Sequence, residues 1–171
     1  MRYSLSNVDT LGLYCTDDFA RHFYFGKGVG VDLSRVGLFE DFRRADLVRD
    51  NVEDFRNVVR RDANNPARMG CAGRDSGTYS ETYFKRSNSV TNVTSFSCLF
   101  SVGGSTFFRS AGCDLSVDCC SRQYTVSCSA AFAISDIYRR PLNFIPTDLG
   151  GTPYPITAFW TEVIAESGQF F

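Results

Sequence analysis

Apolar and polar residues alternate with a period of two from Tyr124 to Ser135. Tyr124, Val126, Cys128, Ala130, Phe132 and Ile134 share one face, and Thr125, Ser127, Ser129, Ala131, Ala133 and Ser135 share the other. That is the pattern of a strand buried on one side. Shorter runs rich in Phe, Val, Thr and Ser predict further strands over about 79–86, 90–101, 104–110, 114–118 and 153–164. Gly103-Gly104 predicts a tight turn between Phe-rich strands. Pro153 and Pro155 cannot donate to a ladder, so the last strand is expected at an edge or as a covering arm.

The N-terminal part follows the helical period. Thr16 is placed to cap a short helix, with Asp17 and Asp18 at its positive end and Phe19 and Phe23 on one face. Gly26-Lys27-Gly28-Val29-Gly30 ends it, and Val31-Asp32-Leu33 reads as a brief extended piece. A second helical region is expected from about Leu38 to Asp62, where Val48, Val52, Phe55 and Val59 form an apolar stripe. Asp50 followed by Glu53 has the form of a capping box, so a break is expected near Arg49. Residues 63–78, with Asn64-Asn65-Pro66, Gly70, Gly73 and Gly77, read as a loop. Helices over about 13–62 and strands over about 79–164 make an α+β fold, with the strands as an antiparallel β meander or partly open barrel. Residues 1–171 are expected to form one domain.

Composition narrows the classes. The 43% hydrophobic and 22% charged content is that of a globular protein. A formal net charge of −1 gives no global attraction to nucleic acid or to an anionic membrane. No segment approaches the roughly 20 apolar residues that span a bilayer. The start, Met-Arg-Tyr-Ser-Leu-Ser, lacks the apolar run of a signal peptide, so export would use another device. An odd count of seven Cys leaves at least one thiol unpaired in a monomer. Cys119-Cys120 is not a C-x-x-C pair, so zinc is disfavoured against structural disulfides or inert buried thiols. Asn92-Val93-Thr94 is a glycosylation acceptor in form only.

The long strand runs into Asp136, Tyr138, Arg139 and Arg140, stopped by Pro141. An Asp there suits a general base or a magnesium ligand, and Tyr138 a proton donor or an anchor for a substrate oxygen. Arg139 and Arg140 offer planar forks for phosphate or pyrophosphate. The set fits phosphodiester cleavage better than acyl transfer, because no nucleophile with an adjacent base is visible. The simpler reading pairs Asp136 with an Arg and packs Tyr138. His22, the single histidine, is expected as a packed boundary residue; a nucleophile pair with Cys15 is the alternative. The Gly26–Gly30 run lacks the Lys-Ser/Thr of a phosphate loop. Arg56, Arg60 and Arg61 read as a solvated helix face rather than a binding patch, and Trp160 as core.

Two segments carry a family resemblance. Phe19-Ala20-Arg21-His22-Phe23-Tyr24-Phe25-Gly26-Lys27-Gly28, followed by Val31 to Leu38, resembles the opening of the colicin M catalytic domain. The helix-loop-meander order is similar, as is a final alternating strand ending in Asp-x-Tyr. The likeness runs from about Leu13 to Asn143 by pattern rather than by dense identity. It implies a bacteriocin or toxin domain that hydrolyses lipid II, a polyprenyl-pyrophosphate peptidoglycan precursor, with magnesium. It also implies action at the periplasmic membrane face of a target cell, secretion or delivery there, and an immunity protein as partner.

By this resemblance Asp136 would be the base or the metal ligand, Tyr138 would orient the phosphate, and Arg139 or Arg140 would neutralise its charge. The family motif is Asp-x-Tyr-Asp-x-Asn with an Arg shortly after. Asp136 and Tyr138 match it, but Arg139 stands in place of the second acid and Pro141 in place of the Asn. Arg139 remains protonated and can neither bind magnesium nor act as a base. Arg140 and Asn143 would substitute only after a register shift, and Asp148 is an acid without a motif. A non-catalytic secreted binding or structural module on the same fold therefore stands beside the hydrolase. A third reading is relocated chemistry on another phosphodiester.

Overall fold

A computed structural model describes residues 16–35, 39–74, 76–91, 105–138 and 151–171. In chain order the elements are α1 (Thr16–Phe25), β1 (Val31–Asp32), a 3-10 turn (Leu33–Arg35), α2 (Phe39–Arg44) and α3 (Asp46–Gly70). The strands β2 (Thr78–Thr91), β3 (Ser105–Asp118), β4 (Gln123–Tyr138) and β5 (Tyr154–Gln169) follow. They form an open five-stranded sheet in the order β1-β5-β4-β3-β2, so the fold is α+β and the sheet does not close into a barrel. β1 pairs in parallel with the start of β5, Val31 with Ile156 and Asp32 with Thr157. The longer strands form a meander. As β2 advances from Thr82 to Ser87, its partner on β3 steps back from Asp114 to Arg109, and Cys113 and Cys128 face each other across β3 and β4.

The chain divides into two compact units: Met1–Asp50, Ser89–Phe107 and Ala133–Phe159 form one, and Asn51–Asn88, Phe108–Phe132 and Trp160–Phe171 the other. In the second unit α3 lies on the sheet through Phe55, Val59, Ala63 and Ala67, all fully buried. Each lies four residues from the last, one helical face turned to the core. The Phe55 ring meets Phe132 edge-on at 5.8 Å, and Phe132 stacks on Trp160 at 5.3 Å. Trp160 is core, as expected. Arg109 is buried in this layer. It donates to the Asp54 carboxylate at 2.7 Å, the Asn51 carbonyl at 3.0 Å and the Ser87 hydroxyl at 3.0 Å.

Tyrosines on β2 and β4 tie α3 down. Tyr79 donates to the Pro66 carbonyl at 2.6 Å, Tyr124 to the Arg60 carbonyl at 3.2 Å, and Tyr83 reaches the Val59 carbonyl at 3.5 Å. A Cys71–Cys119 disulfide joins the end of α3 to the β3–β4 turn, and Cys113–Cys128 crosses the two strands. A bridge closing a loop as long as the first contributes roughly 2–4 kcal/mol, mainly by restricting the unfolded chain. Cys120 is exposed and unpaired among the described residues. Cys15, Cys98, the Asn92 triplet, Gly103-Gly104 and nearly all of the strand expected over 90–101 lie outside those residues.

Several expected boundaries move. The helical break falls at Ala45, whose carbonyl accepts from Val48 and Arg49 at 3.0 Å, and Asp46 rather than Asp50 occupies the first turn. The expected loop over 63–78 is helical as far as Gly70, with Pro66 inside the helix. Pro66 removes one helical N–H, but Ala63 and Ala67 continue the buried stripe, and packing overrides the turn chemistry of Asn64-Asn65-Pro66. The strands expected over 104–110 and 114–118 are one, because Arg109, Ala111 and Cys113 all face inward while Gly112 faces out. β5 is not outermost, since β1 lies beside its first residues.

Burial pushes the Tyr83 phenol up to about 12, with the Asp62 carboxylate adding to the effect. An unfolded tyrosine ionises near 10. The stability Tyr83 contributes is thus complete below pH ~10 and is lost as pH rises through about 12. We expect Tyr83→Phe to flatten the fall in denaturant midpoint between those limits and to remove one late-ionising phenolate from an absorbance titration at about 295 nm. An unchanged alkaline profile would contradict this.

Candidate functional site

β4 does not stop at Ser135. It extends to Tyr138, and its alternation continues, so Ile134, Asp136 and Tyr138 share a face while Ser135 and Ile137 turn to solvent. Asp136 is half-buried, and its Oδ1 accepts from the Ile137 backbone N–H at 2.7 Å. Tyr138 is fully enclosed: its ring stacks on Tyr154 at 5.1 Å and lies 5.8 Å from Phe23 of α1. The aromatic packing gives Asp136 a rigid base, because the residue two positions along is held on two sides. Arg139, Arg140, Asn143 and Asp148 lie outside the described residues.

The α1 turn supplies the other wall of this aromatic layer. His22 Nε2 lies 2.6 Å from the Val29 carbonyl, which accepts only, so Nε2 carries the proton. The imidazole also meets the Tyr154 ring edge-on at 4.5 Å. A Cβ at Gly26 would come within 2.7 Å of the imidazole, so glycine lets the chain turn back over the ring. His22 is thus a latch for the Gly-rich turn, in line with the packed-boundary reading. Among the described residues no nucleophile is paired with it. The Thr152 N–H donates to the Phe23 carbonyl at 2.9 Å, fixing the entry to β5 against the end of α1.

Magnesium takes one or two protein carboxylates and completes its shell with water and substrate phosphates. Among the described residues no three His, Cys, Asp or Glu side chains come together as a metal cage. Asp136 supplies one half-buried carboxylate. That fits an ion that arrives with a phosphorylated substrate. No described helix is long and apolar enough to cross a membrane.

No family model matches the sequence, and no curated protein matches it. Solved structures do overlay on it. The crystal structure of pectocin M2 matches 91% of this chain and 50% of its own, at 19% identity and a TM-score of 0.41. The truncated bacteriocin syringacin M from Pseudomonas syringae pv. tomato DC3000 matches 90% of this chain and 59% of its own, at 18% identity and a TM-score of 0.45. The chain thus spans half to three-fifths of the length of these proteins.

Sequence reasoning placed Asp136 and Tyr138 beyond a finished strand, and missed that both continue its buried face. The signal was present: extending the alternation by three residues puts Tyr138 in phase with Phe132. If His22 is a latch, His22→Ala should lower stability by about 1–2 kcal/mol through the lost hydrogen bond and ring contact. Urea unfolding measures this, and an unaltered midpoint would show that the ring does not hold the turn.

Proposed function

We propose that this chain is a toxin-type hydrolase domain that cleaves the phosphodiester linkage of a lipid-linked pyrophosphate, lipid II in the resemblance. Asp136 is the observation that carries the reading. It stands two residues from a fully buried aromatic anchor, itself half-buried, at the end of a strand that packing fixes. A carboxylate so held binds an ion that accompanies a phosphoryl group, or accepts the proton of an attacking water. Magnesium, when bound, would polarise the phosphoryl oxygens. Tyr138 acts in this reading through position: its enclosed ring fixes the backbone that aims Asp136. Arg139, Arg140 and Asn143 follow in sequence and would supply charge and donors to the phosphate. The two disulfides fit a protein that works in an oxidising compartment, outside the cell or in a target periplasm, and an immunity protein would be its partner there.

The second reading, a non-catalytic binding or structural module, is favoured by Arg139 in place of the second acid and by the complete burial of Tyr138. One assay separates the two. The folded chain is incubated with lipid II and magnesium, and released prenol and pyrophosphoryl sugar-peptide are quantified beside Asp136→Asn. We expect turnover that falls by at least about a hundredfold in the variant, the usual scale for losing a general base. Equal turnover in both, or none in either, would overturn the hydrolase reading.

A further inference from the structure

A second polar feature lies wholly within the other compact unit and does not involve Asp136. A groove of about 560 Å³ runs along α3, lined on the helix side by Asn57, Arg61, Asn64, Asn65 and Arg68. These positions recur at helical spacing and so form one face. Across from them lie Tyr124 and the end of β5 at Gly168 and Gln169. A Cβ at Gly168 would stand 2.6 Å from the Tyr124 hydroxyl, so glycine is what keeps this wall open.

The charges are not equivalent. Arg60, also on the rim, is committed to Glu166 at 2.6 Å, a bond that raises its pKa above the ordinary guanidinium value. Arg61 is three-quarters exposed and makes a long ion pair, at 3.6 Å, with its neighbour Asp62, a carboxylate that Lys85 also engages. Arg68 has no hydrogen-bond or ion-pair partner among the described residues. No carboxylate lines the groove. Arg61 and Arg68 therefore present two planar forks on one helix face, about 10 Å apart along the axis. The carboxamides of Asn64 and Asn65 lie between them, and Asn64 donates over a long 3.4 Å to the Gln169 carbonyl. Paired guanidinium forks match the oxygens of a phosphoryl group in a way that a point charge does not. The volume is that of a small organic ligand and far exceeds a bare ion.

We propose that this groove is a second binding site, one for phosphoryl oxyanions. Arg61 and Arg68 grip phosphoryl oxygens, and Asn64 and Asn65 donate to the oxygens or hydroxyls between them. The occupant is a soluble phosphate ester or pyrophosphate, or the same chemistry on a lipid headgroup. The site serves a hydrolase and a binding module equally, because it shares no residue with Asp136 and its surroundings.

Calorimetric titration of the 171-residue chain with inorganic pyrophosphate tests it, beside co-sedimentation with phosphatidylglycerol vesicles. The double variant Arg61→Gln, Arg68→Gln is compared with Arg86→Gln, an exposed arginine on β2 outside the groove. Thermal melts establish that each variant is folded. We expect pyrophosphate to bind, the double variant to weaken it at least tenfold, and Arg86→Gln to leave it unaltered. Vesicle binding that depends on the same pair, without a pyrophosphate signal, supports the site and assigns it to a headgroup. Binding of both probes that ignores the double substitution, or binding of neither, overturns the proposal.

Discussion

A strand offers each residue one of two faces, and that restriction decides the candidate site. Phe132 on β4 is held beneath Phe55 of α3 and against Trp160 of β5. With Phe132 on the covered side, alternation assigns Ile134, Asp136 and Tyr138 to that side and Ser135 and Ile137 to solvent. A slip of one residue would expose Phe132, Ile134 and Tyr138 together. Burying an aromatic or large aliphatic side chain is worth about 1.5–3 kcal/mol, so several such losses would exceed the margin of an ordinary domain. Asp136 takes its side of the strand from these hydrophobic neighbours, and its Oδ1 accepts from the Ile137 N–H.

α3 is secured by several independent means. Its buried stripe, three phenolic hydroxyls, the Arg109–Asp54 pair and the Cys71–Cys119 bridge all act on residues 51–71. Ion pairs from Arg56 to Glu162 and Arg60 to Glu166 reach across to β5. Such half-exposed pairs are worth little individually. They do, however, leave Arg61 and Arg68 as the charges of the helix face that β5 does not neutralise, and this gives the groove its sign.

Much of this architecture was legible in the sequence, and the failures have physical causes. The buried face of β4 followed from six alternating residues, and the helices-then-strands order gave the α+β class. The end of β4 was hidden because Asp136 and Tyr138 look polar, although a phenol buries well when its ring is stacked. α3 was cut short because Asn64-Asn65-Pro66 carries strong turn chemistry, and Ala63 and Ala67 look too small to declare a core stripe. β3 was split at Ala111-Gly112-Cys113, small residues around a glycine whose inward-facing Ala111 and Cys113 show only once the neighbouring strand is known. The groove was hidden for the same reason: Arg60 and Arg61 are neighbours in sequence, yet only one of them is neutralised by β5.

The direction of Tyr138 is the claim on which the site depends, and nuclear Overhauser contacts to its ring measure it directly. The structure predicts cross-peaks from the Tyr138 ring to Tyr154 and to Phe23, with the Ile137 methyls contacting neither. Ile137 in contact with Tyr154 and a solvent-exposed Tyr138 would mean that the strand end is turned over. Asp136 would then face the opposite side, and the site would not exist as described.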